Sequence, residues 1–495
     1  MSSKTDRTAL WIMVGLALLA LAVRIPGLNG GLWNDEISSL LFSYRTPFPA
    51  MLTEYPGDNK HPLYSHLAHL AIVTFGEANW TIRLPALLFG VATVPMLYVF
   101  GRQVVREREA VLSAALLALS YHHVWFSQSA RGYIVLAFAM VVTTHLLLKV
   151  LRNGSTSAAV LYALAIALGV YTHLTFVFAV FAQFGVALLA LALPARSRSR
   201  PDWRTTLLPF AAGGILTLAL YAPMLQQIRE YFRVPSEMAQ SSDATWAIGE
   251  AIRVLRSGLG DQFGVGLLVL GVCAAIGLAG VVSLLKRDRD VALLLTLPAV
   301  TVTLGALATS GALYPRFYFL LAGFLVLIAV RGAFASAGWV MRVTSAKAAA
   351  PGETAVRRGD ALAMGCVVLL LVASTASLPR NWNVPKQDFE GAMHFVETEA
   401  QPGDLITTTD ITTEMYRRYY RQDWRAVRNA PELEALRDSV TGKVWMIYTF
   451  PRYLALFDSA LEAKVDRECH TERVFPATLG GGEVVVCSLP GGGAR

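Results

Sequence analysis

Apolar stretches close to the length that crosses a lipid bilayer recur along the chain from its first residues to about residue 379. A transmembrane helix needs roughly 20 mainly apolar residues in succession. The composition agrees with this pattern, since 54% of the residues are hydrophobic and 16% are charged. That balance excludes a disordered chain, a small disulfide scaffold and a soluble cytosolic enzyme. The sequence therefore predicts a mainly α-helical protein that crosses the membrane several times.

The apolar runs predict eleven transmembrane spans, the first of them a retained signal-anchor helix. If the N-terminus is cytoplasmic, every short basic loop between spans lies on the cytoplasmic side, as the positive-inside rule requires. The net charge of +8 is thereby assigned to cytoplasmic loops and not to a nucleic-acid partner. The predicted spans are 8–25, 82–102, 109–122, 131–150, 158–173, 174–194, 206–225, 263–285, 291–310, 315–335 and 360–378.

Segment 61–78, in the first outer loop, decides this count. It is short and contains His61, His66 and His69, and three imidazoles are costly to place within hydrocarbon. We therefore predict a helix that lies in the membrane interface. Counting the segment as a span would place most of the basic loops outside.

Residues 380–495 differ from the rest, because charge rises and the apolar runs shorten. Stretches rich in β-branched residues alternate there with helical patterns, which predicts a small α/β domain outside the membrane. Cys469 and Cys487 could pair if this region faces an oxidising compartment. The chain thus divides into a membrane module, 1–379, and an outer domain, 380–495. The predicted strands are Leu405–Thr409, Val444–Thr449 and Glu483–Cys487, and the predicted helices are Asp388–Glu399 and Pro431–Ser439.

The first outer loop, residues 26–81, carries polar groups beyond the needs of solvation. Asp35 and Glu36 are adjacent, so on a helix they point about 100° apart and can line one pocket without facing the same ligand atom. The alternative is a pair of acids placed at a helix N-terminus by the helix dipole. Lys60 and His61 follow, where a turn with solvated charges explains the pattern equally well.

Further candidates lie where later spans meet the outer face. An arginine just inside a membrane helix, as Arg131 is, usually has an anionic partner. Arg316 repeats this pattern at the start of the tenth span. His173 fills a tight turn, where a buried and hydrogen-bonded histidine is an equal alternative. The residues predicted to bind substrate are Lys60, His61, His123, Gln128, Arg131, Tyr133, His173, Tyr314 and Arg316.

Arginines and a carboxylate on one face of the membrane suit transfer of a group from a lipid phosphate. Guanidinium groups neutralise the phosphate, which leaves without needing a proton from a general acid. One carboxylate then suffices as the base for an attacking hydroxyl, whereas glycoside hydrolysis uses two carboxyl groups. A single displacement of this kind inverts the anomeric carbon.

Four motifs resemble, in this order, the bacterial branch of the protein O-mannosyltransferase and aminoarabinose-transferase superfamily, which are membrane glycosyltransferases of the GT-C fold. The resemblance extends over residues 20–195 and returns at 314–321. The motifs are Trp33-Asn34-Asp35-Glu36, Lys60-His61-Pro62, Ile82 to Gly90, and Ser127-Gln128-Ser129-Ala130-Arg131-Gly132-Tyr133.

This resemblance implies a hexosyl- or pentosyltransferase of the bacterial inner membrane. Its donor would be a polyprenyl-phosphate-linked sugar, and its acceptor a lipid, glycan or protein on the outer face. The first acid of the loop pair, here Asp35, would be the catalytic base, with Glu36 beside it. Arg131 and Arg316 match positions that face the phosphate.

Two departures from the pattern bear on metal binding. Ser129 stands where many relatives have glutamate, and the usual His-Pro-Pro is reduced to His61-Pro62. The lost acid was a plausible metal ligand, so no cofactor is firmly predicted and a divalent ion, Mg²⁺ or Mn²⁺, is left open.

Two other classes of protein stay possible from the sequence. A flippase or transporter of a lipid-linked sugar would use the same arginines, but it predicts ionisable groups at mid-membrane and an inverted repeat. A membrane anchor that presents residues 380–495 to a partner would leave the charged groups of the outer loops unexplained.

Overall fold

Up to residue 383 the described chain is built almost entirely from helices. The structure, a computed structural model, describes residues 2–57, 60–193, 201–231, 233, 248–249, 252, 266–309, 313–345 and 353–493. A π-helix covers Leu40–Tyr44, and 3-10 helices cover Ala222–Met224 and Pro315–Leu321. The α-helices are α1 (Ser2–Ala22), α2 (Asn34–Ser39), α3 (Phe48–Thr53), α4 (Pro62–Phe75), α5 (Asn79–Val104), α6 (Glu107–Leu119), α7 (Tyr121–Ser127), α8 (Tyr133–Asn153), α9 (Thr156–Thr172), α10 (Phe176–Ala192), α11 (Trp203–Tyr221), α12 (Leu225–Tyr231), α13 (Gly266–Arg287), α14 (Arg289–Thr309), α15 (Ala322–Ser345) and α16 (Glu353–Asn383).

Each predicted span overlaps one or more helices of the described chain. Residues 194, 263–265 and 310 of these spans lie outside the described residues, as does most of segment 226–262, which follows the seventh span. Within the part of the chain that the structure describes, six helices are long and apolar enough to cross a membrane, or seven if the bent pair α6–α7 is one span. Three further apolar helices are shorter. The chain is therefore a multi-pass membrane protein, while the number of eleven spans stays a prediction.

Helix α4 occupies the segment predicted to lie in the interface. It has 14 residues, too few to cross a bilayer at 1.5 Å per residue. Leu70, Val73 and Phe75 are exposed on its surface, while Tyr64 and Ala68 are buried against the rest of the module. A short helix with one apolar outer face is what an interfacial position requires.

Helices α13 and α15 approach each other backbone to backbone. A Cβ atom added at Gly280 would overlap the carbonyl oxygen of Ile328, and one at Gly332 would overlap that of Ile276. Small residues at such positions are what lets membrane helices pack closely. Because α15 directly follows the 3-10 helix Pro315–Leu321, this contact also fixes the segment that carries Arg316.

The outer domain contains a five-stranded sheet, which confirms the predicted α/β character. The strand order is β2-β1-β3-β5-β4, with β1 parallel to β2 and β3, and β5 antiparallel to β3 and β4. The strands are β1 (Leu405–Thr409), β2 (Arg425–Val427), β3 (Lys443–Thr449), β4 (His470–Phe475) and β5 (Val484–Pro490). The helices are α17 (Phe389–Glu399), α18 (Asp410–Glu414), α19 (Ala430–Asp438), α20 (Pro451–Phe457) and α21 (Ser459–Glu468), with a π-helix over Met415–Tyr419.

Cys469 and Cys487 form a disulfide that joins the start of β4 to β5. The pairing that the sequence left conditional is therefore present. The last helix of the membrane module, α16, continues to Asn383 and so passes the predicted boundary at residue 380. Its end is held by Asn381, whose side-chain amide donates to the Gln128 side chain over 2.9 Å, and by Trp382, whose indole donates to the carbonyl of Val23.

Candidate active site

The two acids of the first outer loop lie in the first turn of α2 and point in different directions. Trp33 precedes the helix in an extended conformation. The backbone N–H of Trp33 donates to the Glu36 carboxylate over 3.3 Å. This arrangement begins the helix by satisfying one of its free N–H groups. Glu36 is fully buried, whereas the Asp35 side chain is 14% exposed. The expected divergence of adjacent acids on a helix is confirmed.

Glu36 is bound by Arg83, not by Lys60. The guanidinium of Arg83 meets both carboxylate oxygens, at 2.6 and 2.8 Å, and the backbone N–H of Ala130 adds a third contact at 2.6 Å. Burial alone would raise the pKa of Glu36, but the adjacent Arg83 outweighs it and holds the pKa below the ordinary value. These contacts make Glu36 an anchor of α2, while its catalytic role stays a prediction.

Arg83 is a residue that the site prediction missed. Its remaining donors bind the carbonyls of Leu28, Gly30 and Gly31, so one guanidinium ties the chain before α2 to the start of α5. The sequence did contain a signal for Arg83, because this arginine stands at the start of an apolar span on the outer face, as Arg131 does. The neighbouring residues did not indicate that its partner is Glu36.

The carboxylate of Asp35 faces two arginines. Nη1 of Arg316 lies 3.4 Å and Nη2 of Arg131 lies 3.8 Å from the same oxygen, Oδ2. Arg131 comes from the turn between α7 and α8 and is 1% exposed, while Arg316 comes from the 3-10 helix before α15 and is 37% exposed. Arg131 also donates to the Ser39 hydroxyl over 2.7 Å. Three segments far apart in the chain thus place two cations around one accessible carboxylate.

Aromatic rings form a wall beside the two arginines. The ring of His61 lies 4.8 Å from that of His173 and 4.9 Å from that of Tyr133. The wall continues through Phe317, 5.9 Å from His173, to Tyr314, 5.5 Å from Phe317. The predicted residues His61, Tyr133, His173 and Tyr314 are therefore brought together, and Phe317 joins them.

The environment of His61 disfavours the charged form of its ring. Burial, with the nearby arginines, lowers the pKa of His61 well below its ordinary value. His61 is 1% exposed, and within the described chain neither of its ring nitrogens has a hydrogen-bond partner. His173 meets the Thr175 hydroxyl at 2.8 Å, as a hydrogen-bonded histidine would. Positive charge beside the His61 ring therefore comes from the arginines.

Two of the predicted substrate-binding residues, Lys60 and His123, form hydrogen bonds within the protein. Lys60 donates to the carbonyls of Met51 and Glu54, and burial lowers the pKa of its ammonium group to about 8. Nδ1 of His123 lies 2.5 Å from the buried guanidinium of Arg24. These contacts hold Lys60 within the first loop and His123 against the end of α1, and the role of both residues in binding substrate stays a prediction.

Gln128 likewise serves packing. Its side-chain N–H groups donate to the carbonyls of Arg24 and Pro26, and its side-chain oxygen accepts from Asn381. The amide therefore joins the end of α1 to the end of α16.

A divalent ion would need a set of acidic or imidazole ligands. No group of three or more His, Cys, Asp or Glu side chains that could hold one occurs among the residues that the structure describes. Glu36 is committed to Arg83, and the Ser129 hydroxyl accepts from the indole of Trp33 over 3.1 Å. The donor set around Asp35 does not fit a metal ion.

The chain is similar to known proteins in sequence over one segment and in fold over nearly its whole length. Residues 59–226 match the family described as dolichyl-phosphate-mannose-protein mannosyltransferase. No curated protein matches by sequence. The oligosaccharyltransferase of Archaeoglobus fulgidus, tethered to an acceptor peptide, superposes with a TM-score of 0.57 at 13% identity, covering 95% of this chain and 73% of that one.

Two further solved structures are similar. The oligosaccharyltransferase AglB of A. fulgidus, in complex with an inhibitory peptide and a dolichol-phosphate, has a TM-score of 0.53 at 13% identity and covers 97% of this chain and 74% of that one. ArnT from Cupriavidus metallidurans in the apo state has a TM-score of 0.48 at 14% identity, covering 98% of each chain. The fold is the GT-C fold of membrane glycosyltransferases, and the resemblance stated from the sequence motifs is confirmed at that level.

Proposed function

We propose that the protein is an inverting glycosyltransferase that moves a sugar from a polyprenyl-phosphate-linked donor to an acceptor on the outer face of the membrane. The observation that carries this proposal is the meeting of Arg131 and Arg316 at one oxygen of Asp35. Support also comes from the match of residues 59–226 to a family that uses a dolichyl-phosphate sugar, and from the lipid phosphate in the complex of the similar AglB.

The geometry supports a single displacement. The acceptor oxygen attacks the anomeric carbon as the bond from that carbon to the phosphate oxygen breaks. Asp35 takes the proton of the acceptor hydroxyl, and the polyprenyl phosphate leaves with the bonding electrons. Arg131 and Arg316 neutralise the charge on the departing phosphate, where fixed donors act without reorganising.

The donor would also prepare the base. The two guanidinium groups lie against the Asp35 carboxylate. A phosphate anion competes for the same groups and leaves the carboxylate available for the acceptor hydroxyl. The aromatic wall of His61, Tyr133 and His173 offers the sugar or the lipid a surface of packed rings beside the phosphate.

The test of the function follows the phosphate. Purified protein in lipid nanodiscs is given undecaprenyl-phosphate sugars labelled with ³²P, with heat-treated bacterial membranes as the source of acceptor. We expect labelled undecaprenyl phosphate to be released. In sealed vesicles, movement of the intact labelled lipid between leaflets without its cleavage would instead identify a flippase and contradict the proposal.

Replacement of either arginine by lysine separates phosphate binding from simple attraction to lipid headgroups. Lysine keeps the charge but loses the planar pair of donors, so Arg131→Lys and Arg316→Lys are each expected to lower kcat/KM for the donor by roughly ten- to a hundredfold. We expect the larger loss at Arg316, which follows Pro315 and has a restrained backbone.

The matched control is Arg204→Lys, an arginine at the start of α11. Lysine interacts with headgroups as well as arginine does, so this control should keep its activity. Unaltered rate and donor affinity in both site variants would place the phosphate elsewhere, with Lys60 and His61 the next candidates.

We also propose that the N-terminus is cytoplasmic and that residues 380–495 lie outside. The basic loops support this orientation, and the Cys469–Cys487 disulfide is typical of an oxidising compartment. Alkaline phosphatase fused after Arg495 should be active. Green fluorescent protein fused at the same position should be dark, because it does not fold when it is exported through the general secretion pathway. The reverse pattern would overturn the orientation.

A further inference from the structure

The outer domain contacts the loop of Asp35 at the carboxyl end of its central strand, β3. Strands β1 and β3 are parallel neighbours, and the chain continues from β1 to the strand on one side of this pair and from β3 to the strands on the other side. In open α/β sheets, the carboxyl ends of such a pair form the crevice in which ligands are bound. Here Thr449, the last residue of β3, is buried and contacts Gln387, which reaches the first outer loop.

Gln387 connects the sheet to the residue before Asp35. It is 1% exposed, and its side-chain oxygen accepts from the backbone N–H of Asn34 over 2.8 Å. Its side-chain N–H donates to the Thr449 hydroxyl over 3.1 Å, which in turn donates to the carbonyl of Glu483 over 2.9 Å. Because a backbone N–H can only donate, the orientation of the Gln387 amide is fixed by its partners.

A second connection runs beside the first. The Thr478 hydroxyl accepts from the indole of Trp125 over 3.0 Å, and Trp125 lies 5.7 Å from the ring of Trp33. The backbone N–H of Thr478 donates to the carbonyl of Pro385, which holds the chain just before Gln387. Both residues that precede Asp35 are therefore held from the outer domain.

We propose that Gln387 is a positioning residue for Asp35, through which the outer domain aligns the first turn of α2 with Arg131 and Arg316. Helix α2 has six residues and runs directly into the π-helix Leu40–Tyr44, and a helical segment of this total length has little stability of its own. Its N-terminal N–H groups need partners, and Gln387 supplies the one for Asn34. The role in turnover rests on the function proposed above.

Hydrogen exchange measures the positioning itself and needs no donor. Gln387→Met keeps the length of the side chain but leaves the Asn34 N–H without an acceptor. We expect exchange of the backbone amides of Asn34–Ser39 in the full-length protein to rise about tenfold. Turnover per folded molecule should fall by roughly ten- to a hundredfold, since small displacements of reacting groups have effects of this size, while KM for the donor changes little.

Two variants provide rescue and control. Gln387→Glu retains an accepting oxygen for Asn34, so it should restore most of the protection of the Asn34–Ser39 amides. Thr407→Val removes a buried hydroxyl that donates to the Trp445 carbonyl in the same sheet, away from the loop. It should lower the melting temperature by an amount similar to that of Gln387→Met without changing exchange at α2 or kcat.

Equal exchange at Asn34–Ser39 in Gln387→Met and Thr407→Val would overturn the proposal. If Gln387→Met does not fold, Thr449→Val can be used instead, because it removes the contact between Gln387 and the sheet. It should produce the same changes in exchange and turnover to a smaller extent. If neither change is seen, the proposal is likewise overturned. The two proposals can fail separately. If the unaltered protein has no transferase activity, the proposed function is wrong, but the exchange measurement still tests whether Gln387 positions α2.

Discussion

Asp35→Asn is expected to lower turnover by roughly two to four orders of magnitude while the protein stays folded. Asparagine has the size of aspartate and can still accept from a guanidinium, but it cannot take the proton of the acceptor hydroxyl. Donor affinity should not weaken, because the carboxylate competes with the phosphate for Arg131 and Arg316. The measurements are the rate of polyprenyl phosphate release at saturating donor and the Kd of the donor.

The matched control for this substitution is Glu77→Gln, another acid-to-amide change in the first outer loop. Glu77 is 38% exposed and pairs with Arg45, which is 40% exposed, so its loss should leave turnover unchanged. Turnover of Asp35→Asn equal to that of the unaltered protein would remove Asp35 from the role of base.

Arg83→Met is expected to destabilise the protein by about 3–5 kcal/mol, the usual effect of leaving one partner of a buried ion pair without the other. The substitution leaves the Glu36 carboxylate, which is fully buried, with only backbone partners. The measurement is thermal unfolding in detergent, followed by tryptophan fluorescence. Glu36→Gln should cost less, because the guanidinium keeps three carbonyl partners.

Arg45→Met is the comparison for Arg83→Met, since it breaks the exposed pair with Glu77 in the same loop. An exposed pair contributes about 1 kcal/mol or less. The double variant Glu36→Gln, Arg83→Met should recover part of the stability that Arg83→Met loses, because the buried Glu36 carboxylate is then no longer present without Arg83. Equal destabilisation by Arg45→Met and Arg83→Met would contradict the anchoring role of the buried pair.

The sequence predicted most elements of this fold because apolar length and residue period are local signals. The strand Leu405–Thr409 was predicted with the bounds that the structure has, and α17 differs from its prediction by one residue at its start. Arg131 and Arg316 were found for a similar reason, since a cation at the end of an apolar span is unusual wherever its partner lies.

What the sequence could not predict depends on contacts between distant segments. Glu36 and Asp35 are equivalent as letters, and only the approach of Arg83 makes one an anchor and leaves the other accessible. The sequence likewise gave no sign that Lys60 donates to the carbonyls of Met51 and Glu54. Gln387 gave no local signal, because an amide in a connecting segment is ordinarily solvated.

The contacts of Arg83 and of Gln387 with the α2 region also differ in when they can form during synthesis of the chain. Glu36 and Arg83 are separated by 47 residues, whereas Asn34 and Gln387 are separated by 353. At roughly 5–20 residues per second, the first pair is complete within about 2–9 s and the second only after about 20–70 s. During biosynthesis, the contact that neutralises the buried Glu36 carboxylate can therefore form early, whereas the contact from Gln387 to Asn34 can form only when most of the chain has been made.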